Sequence, residues 1–413
     1  MFKNYLLTAW KVYTRRKLFT AINLLCITLT LGVLLTVTAL LQDAFFPKGV
    51  EGKSDRFVQV NTMVADSEDG HSSRISPLGY RIVEQYFKTM KTPELVAATT
   101  GPRTVSVYQD DRVTELMLRR TDAEYWKVLD FTVLAGQLPT AEDVSRGRFV
   151  AVLNQSTARK LFPGGKAVGQ SLNVGGQQFQ VIGVVRDEMQ LNAYSDIWAP
   201  ITTEPSTAYR SEDSGDFNVL LLGHTPADVP RMQAEVADIA TRIKFVDPKE
   251  FNKAYVWGDT KMDVFARGLL NNERKPESGS GILLAVIVLL MLFFMALPAL
   301  NLVNLNTGRI MERSSEIGVR KAFGASSRTL VVQFVVENIL LCLFGGVLGL
   351  ALAKAALVWL EHSGLIPYLH VDIAWPVLFY GFLISVSFGL LSGVIPAWKM
   401  SRLHPVQALK GAA

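Results

Sequence analysis

Glu337 is a carboxylate inside a stretch, Leu330 to Ala353, that is otherwise free of charge. A carboxylate in apolar surroundings either moves a proton or an ion, or stays near an edge and pairs with a basic side chain. Basic partners are at hand. The segment just before it holds Arg309, Arg313, Arg320, Lys321 and Arg328 against Glu312 and Glu316. Both readings of Glu337 stay open. The same segment has its own pattern, with Arg313, Glu316, Arg320 and Lys321 set among Ile310, Ile317 and Val319. That suits a short helix lying across a partner protein, with Gly318 and Gly324 allowing close approach and a turn. A helix held on lipid headgroups fits the same residues.

Catalytic constellations are harder to find. Only His71 and His224 lie between residues 43 and 280, far apart in sequence. There is no HExxH, no GxSxG and no cysteine nucleophile there. Asp110-Asp111 and Asp187-Glu188 read as solvated turn acids. Gly164-Gly165-Lys166 lacks the spaced first glycine and the following Ser/Thr of a phosphate loop. The chain offers no enzyme site, so any ATP-driven work needs ATP bound on another chain.

The elements that position these residues are membrane segments. Leu18–Leu41, Gly281–Thr307, Leu330–Ala353 and Ile373–Trp398 are long apolar runs in a chain of 413 residues, 49% hydrophobic and 19% charged. At about 1.5 Å per residue each can cross a hydrocarbon core of about 30 Å. The fold class expected is a membrane α-helical protein, four transmembrane helices arranged 1 + 3, with a large α+β domain outside the cytoplasm. The spans are placed at 18–42, 281–307, 329–353 and 373–398.

Charge sets the orientation. The net charge of +5 does not point to nucleic acid, because residues 43–280 carry 32 acids against 28 bases. The surplus sits beside the apolar runs: Lys3, Lys11, Arg15, Arg16 and Lys17 before the first, the 308–328 loop in the middle, and Lys399, Arg402 and Lys410 at the end. Excess Lys and Arg mark cytoplasmic flanks. Both termini and the 308–328 loop are therefore expected inside, with 43–280 and the short 354–372 loop outside. The first run is too long for a signal peptide and shows no cleavage site. Cys26 and Cys342 both fall in membrane runs, so the outer domain needs no disulfide. Phe2, Tyr5, Leu6, Ala9, Trp10 and Tyr13 fall at helical spacing and predict an interfacial helix on membrane lipids over residues 1–17. Gly345, Gly346 and Gly349, and Gly389 with Gly393, are spaced for close helix packing.

Within the outer region, Phe57–Val64, Arg103–Tyr108, Arg112–Arg119, Arg148–Leu153 and Phe217–Leu222 read as strands. Ser171–Val174 and Gln178–Val185 read as a hairpin turning at Gly175-Gly176. Helical patterns run from Ser76 to Met90, over Ser156–Phe162 and over Pro230–Ile243. Asn271–Gly281, polar and Gly/Ser-rich, marks the return to the membrane.

Several motifs now become recognisable. Glu316–Ala325 (EIGVRKAFGA), Gln333-Phe334, Glu337-Asn338 and Gly345–Gly349, with the closing Gly393–Lys410 segment, resemble the C-terminal membrane block of FtsX-like permeases. Gly136–Val185, with VAVLNQSTARKLFP and VGQSLNVGGQQFQVIGVV, is similar to the outer domain of MacB-type permeases.

The resemblance implies a permease subunit of an ABC transporter in a bacterial inner membrane, with a periplasmic outer domain. It implies a dimer with a second copy or a paralogue, bound to a cytoplasmic ABC ATPase dimer that holds ATP and Mg, so that no cofactor sits on this chain. In MacB the ATPase is fused at the N-terminus; here only residues 1–17 precede the first run, and a separate ATPase is expected. A periplasmic membrane-fusion adaptor and an outer-membrane channel are further possible partners. Residues 43–118 and 213–280 would form a porter-like part and its stalk, with 119–212 an inserted blade-like subdomain. Arg313, Glu316, Ile317, Gly318, Arg320, Lys321 and Gly324 would couple to the ATPase. Efflux of a drug, peptide or lipid-like substrate from the periplasmic side follows by resemblance. The alternatives are lipoprotein release, regulation of a cell-wall hydrolase, or a membrane-anchored sensor without an ATPase.

Overall fold

The computed structural model describes residues 13–14, 17–109, 112–312 and 327–365, with single positions between 379 and 394. The chain separates into two compact units: Met1–Gln42 with Leu284–Ala413, and Asp43–Leu283.

The first unit is helical. Helix α1 runs from Lys17 to Phe45. Along it, the hydroxyls of Thr36 and Thr38 donate to the carbonyls of Gly32 and Leu34, each at 2.8 Å. The last two helices of the chain that are described in full run Ser280–Glu312 and Ser327–Ser363. Both are longer than their apolar stretches. The second continues past Ala353 and ends at Gly364, whose φ of +66° supplies a left-handed stop that a side chain disfavours. Among the described residues, two segments, Thr20–Phe45 and Val331–Ser363, are long and apolar enough to cross a membrane, and Ser280–Phe294 is a shorter apolar helix. Most of the fourth run, the N-terminal residues 1–12 and the tail from 395 lie outside the described residues.

The second unit is built on β-structure. Strands β1 (Phe57–Val60), β2 (Met63–Asp66), β3 (Ser73–Ser76), β4 (Leu95–Thr100), β5 (Arg103–Gln109) and β6 (Arg112–Thr121) come first. Then follow β7 (Val133–Gly136), β8 (Val150–Asn154), β9 (Ser171–Val174), β10 (Gln177–Val185), β11 (Ile197–Pro200), β12 (Phe217–Leu222) and β13 (Lys253–Val256). The large sheet has the order β1-β12-β4-β6-β11-β8-β10-β9-β5, and β5 pairs back onto β6. The last six strands therefore close into a ring, and the first three form an open arm. The ring is closed because its inward positions fill it: Leu116, Leu118, Leu153, Leu172, Phe179 and Val181 are buried in one core. At the β9–β10 hairpin, Gly175 and Gly176 take φ of +57° and +86°, as a two-residue turn of this hand requires.

The arm packs on helix α4 (Val229–Arg242), which buries Met232, Val236 and Ile239 against Val58, Val219 and Leu221. Of the shorter helices, α2 (Tyr125–Val128) covers a third core, and α3 (Gln155–Leu161) follows β8, capped by the Asn154 side chain. Helix α5 (Lys261–Leu270) follows β13. The membrane-run helices are then α6 (Ser280–Glu312) and α7 (Ser327–Ser363).

Ring and arm are not separable at residue 119. Strand β6 spans that position, with its N-terminal half in the ring and Thr121 paired to Thr99 of the arm. Beneath this junction Phe57 and Leu222 of the arm share a core with Val152, Val185 and Trp198 of the ring. Phe131 lies 5.0 Å from Trp126 and 5.5 Å from Trp198, ring to ring.

Several local readings differ from the structure. Phe57–Val64 is two strands in two sheets, broken at Asn61-Thr62. The Ser76–Met90 pattern is shorter as a helix, covering Tyr80–Phe87, because Leu78 bridges to Phe217 as an extended residue.

Candidate functional site

Helices α1 and α7 run side by side and touch through glycine. A Cβ on Gly345 would stand 2.5 Å from Ile27 Cγ2, and one on Gly349 would stand 2.9 Å from Leu31 Cβ. Gly32 of α1 answers from the other side, where a Cβ would meet Leu352 Cδ2 at 2.8 Å. These backbones approach because no side chain intervenes. Gly381 adds a similar contact to Leu35. Gly346 is half-buried on α7, while Gly389 and Gly393 lie outside the described residues.

Glu337 is buried in the same helix pair, 1% exposed. Gln333 Nε2 donates to its Oε1 at 3.0 Å, one turn away on α7. The Tyr13 hydroxyl donates to the Glu337 carbonyl oxygen. Asn23 and Asn338 are also buried in this helical unit. Glu337 thus belongs to a polar group within the helices, and the structure places Gln333 beside it. The ATPase-coupling candidates Arg313, Glu316, Ile317, Gly318, Arg320, Lys321 and Gly324 lie outside the described residues.

The outer unit contains a cluster that sequence reasoning missed, at the neck where its chain enters and leaves. Glu51 follows α1 by six residues, and its side chain is fully buried. Lys261, the first residue of α5, brings its ammonium 2.6 Å from Glu51 Oε2. Asn192, from the ring side, donates to Glu51 Oε1 through its backbone N–H and its Nδ2, at 3.1 and 3.0 Å. One carboxylate therefore ties together the start of the outer unit, the helix leading out of it, and the ring.

A second pair reinforces the exit. Arg267 donates to both oxygens of Asp259, at 2.8 and 2.9 Å, and both residues are buried. A paired fork of this kind fixes orientation as well as charge. The remaining Arg267 N–H groups donate to the carbonyls of Asn272, Lys275 and Pro276. Trp257 lies under the guanidinium at 5.4 Å and donates to the Glu273 carbonyl. The polar Asn271–Gly281 segment is thus pinned rather than loose. Burial pushes the Asp259 carboxyl up, with Arg267 opposing it. Burial also acts on Asp263, but hydrogen bonds from Ser278, Ser280 and Thr260 outweigh it and hold that carboxyl below its usual range. A cavity of about 300 Å³ opens beside this cluster, lined by Gln233, Trp257, Asp259, Asp263 and Arg267.

The junction of ring and arm has its own polar lock. Asp122, buried, accepts from Lys88 Nζ at 2.5 Å and from the Ala98 and Tyr125 N–H groups at 2.7 and 2.9 Å. Burial pushes its carboxyl up to about 6. Arg119, 3% exposed, donates to the Thr100, Leu191 and Tyr194 carbonyls, and burial lowers its pKa. Among the described residues no three His, Cys, Asp or Glu side chains converge as metal ligands.

Sequence signals for the neck existed: Thr260-x-x-Asp263 is a capping box, and Asp259 and Arg267 are two turns apart. Nothing in the order of residues pairs Glu51 with Lys261, because that contact is made by the fold.

The chain thus has a unit of long apolar helices packed through glycine and a β-rich unit with a buried ionic cluster. Two family models match it. The MacB-like periplasmic core domain matches residues 20–239, more than half of the chain, and the FtsX-like permease C-terminal matches 283–405. The chain belongs to the MacB/FtsX-like family of ABC transporter permeases, inner-membrane proteins with a periplasmic domain. It is 26% identical over 420 residues to the macrolide export ATP-binding/permease protein MacB 1 of Yersinia pestis, covering 99% of this chain and 60% of that protein. The chain thus spans about 60% of that relative's length. It is 24% identical over 317 residues to the ABC transporter permease YknZ of Bacillus subtilis, covering 76% of this chain and 75% of that one. The crystal structure of the periplasmic region of MacB from Actinobacillus actinomycetemcomitans aligns with a TM-score of 0.40 and 14% identity, over 54% of this chain and 97% of that one.

Proposed function

We propose that this chain is the permease that converts ATP hydrolysis on a cytoplasmic ATPase dimer into movement of its periplasmic domain. That movement drives efflux of a drug, peptide or lipid-like substrate. ATP and Mg are held by the ATPase, and the permease works as a dimer with a second copy or a paralogue. A membrane-fusion adaptor and an outer-membrane channel complete the route.

The observation that carries this reading is the neck. Helix α1 is continuous from Lys17 to Phe45, and six residues later Glu51 is locked to Lys261 and Asn192. The chain just after α1 is therefore fixed within the outer domain by buried, paired groups. Interfaces of this kind move as rigid bodies. Membrane spans at 18–42, 281–307, 329–353 and 373–398 put both termini and the 308–328 loop in the cytoplasm. Arg313, Glu316, Ile317, Gly318, Arg320, Lys321 and Gly324 of that loop meet the ATPase.

Charge reversal tests the coupling. The Glu316→Arg, Arg320→Glu variant is expected to insert normally and lose ATP-driven transport. Unchanged transport by that variant contradicts the assignment.

A further inference from the structure

Helix α5 is amphipathic in the reverse sense. Its charged residues turn into the protein: Lys261 to Glu51, Asp263 to Thr260 and Ser278, and Arg267 to Asp259. Phe265 and Leu269 turn outward, while Met262 and Val264 are half-buried. Phe265 is 51% exposed and Leu269 62%. Gly268 beside them is exposed, with open space where its side chain would stand. A helix facing water shows the opposite arrangement, and a ridge of large apolar side chains marks a surface that something apolar covers.

The ridge has a definite place. The Phe265 ring meets that of Phe45, the last residue of α1, edge to face with centroids 5.3 Å apart. At the other end Leu270 abuts Gly279, immediately before α6, where a Cβ would stand 2.5 Å from Leu270 Cδ1. Phe46, next to Phe45, is 62% exposed. The ridge thus lies between the end of one apolar helix and the start of another. Aromatic and leucine side chains at such a level are characteristic of the bilayer interface.

We propose that α5 is an interfacial helix, with Phe265, Leu269 and the neighbouring Phe46 seated in the outer leaflet. This rests on α1 and α6 spanning the membrane. The lipid surface then holds the outside of α5 while Glu51, Asp259 and their partners hold its inside, so the neck tilts with the bilayer as its reference plane.

The test uses the full chain on a Cys26→Ser, Cys342→Ser background, in nanodiscs of phosphatidylcholine and phosphatidylglycerol. Single cysteines at Leu269→Cys, Leu289→Cys and Val113→Cys carry a small fluorophore. Quenching is read with nitroxide-bearing phosphatidylcholine and with aqueous iodide. The expected result is lipid quenching of the label at 269 by a nitroxide near the headgroup, with shielding from iodide. The label at 289 on α6 should be quenched by a nitroxide deep in the chain region, and that at 113 by iodide alone. Gly268→Cys repeats the measurement should labelling at 269 disturb the helix. If 289 behaves as stated and 269 is quenched by iodide, the proposal is overturned. Shielding of 269 from both quenchers also overturns it, assigning the ridge to a second protein surface. Absence of lipid quenching at 289 overturns the membrane reading and this proposal with it.

Discussion

Lys261 reaches Glu51 at 2.6 Å, binding the first turn after α1 to the first residue of the helix that leads back to α6. Glu51 is fully buried, and Asn192 fills its other carboxylate oxygen. Removing one partner leaves an uncompensated buried charge, at a cost of about 3–5 kcal/mol. Lys261→Met alone should lower the unfolding midpoint of the outer domain, followed by tryptophan fluorescence. The double variant Glu51→Gln, Lys261→Met should recover most of the loss. A double variant as unstable as the single would show that the two residues do not act as a pair.

The neck also controls the exit strand. Arg267 donates to three carbonyls between Asn272 and Pro276. Arg267→Ala should free that segment and expose the bond after Arg274 to trypsin, while cleavage elsewhere in the outer domain is unchanged. Protection equal to the parent protein would contradict the pinning.

The helix pair makes a steric prediction. Gly345→Leu or Gly349→Leu should push α7 from α1 and reduce thermal stability in detergent by the usual cost of overpacking, about 1–3 kcal/mol. Gly281→Ala has open space and should be close to neutral. Equal stability of all three would show that the glycine contacts do not hold the helices.

Asp122 links stability to pH. Burial raises its carboxyl from 3.8 to about 6, so the native state holds a proton that the unfolded chain gives up. Its contribution to stability is full below 3.8 and is lost as pH rises through about 6. Asp122→Asn should flatten that part of the stability profile. The same slope in both proteins would rule out Asp122 as its source.

Much of this was legible in the residues. The strand Phe217–Leu222 and the β9–β10 hairpin stand as read, because their apolar alternation and the Gly175-Gly176 turn are local signals. Strand β4, Leu95–Thr100, was not seen. It lies between β12 and β6, buried on both faces, and so shows no alternation. The same applies to β11, all four of whose residues are buried. Gly345 and Gly349 could be picked out by spacing, but Gly32, which meets the same surface from α1, stands alone in its run and carries no pattern. The Glu51–Lys261 contact was invisible for a different reason. Its two members come from distant parts of the chain, and each reads singly as an ordinary surface charge.

The proposed function requires an ATPase partner. The direct measurement is mild-detergent purification of the tagged chain from its native host, under ATP-trapping conditions, with mass spectrometry of what accompanies it. A stoichiometric ABC ATPase is expected to accompany it. Recovery of the chain alone across several detergents would contradict the proposed function and leave a membrane-anchored sensor as the better reading.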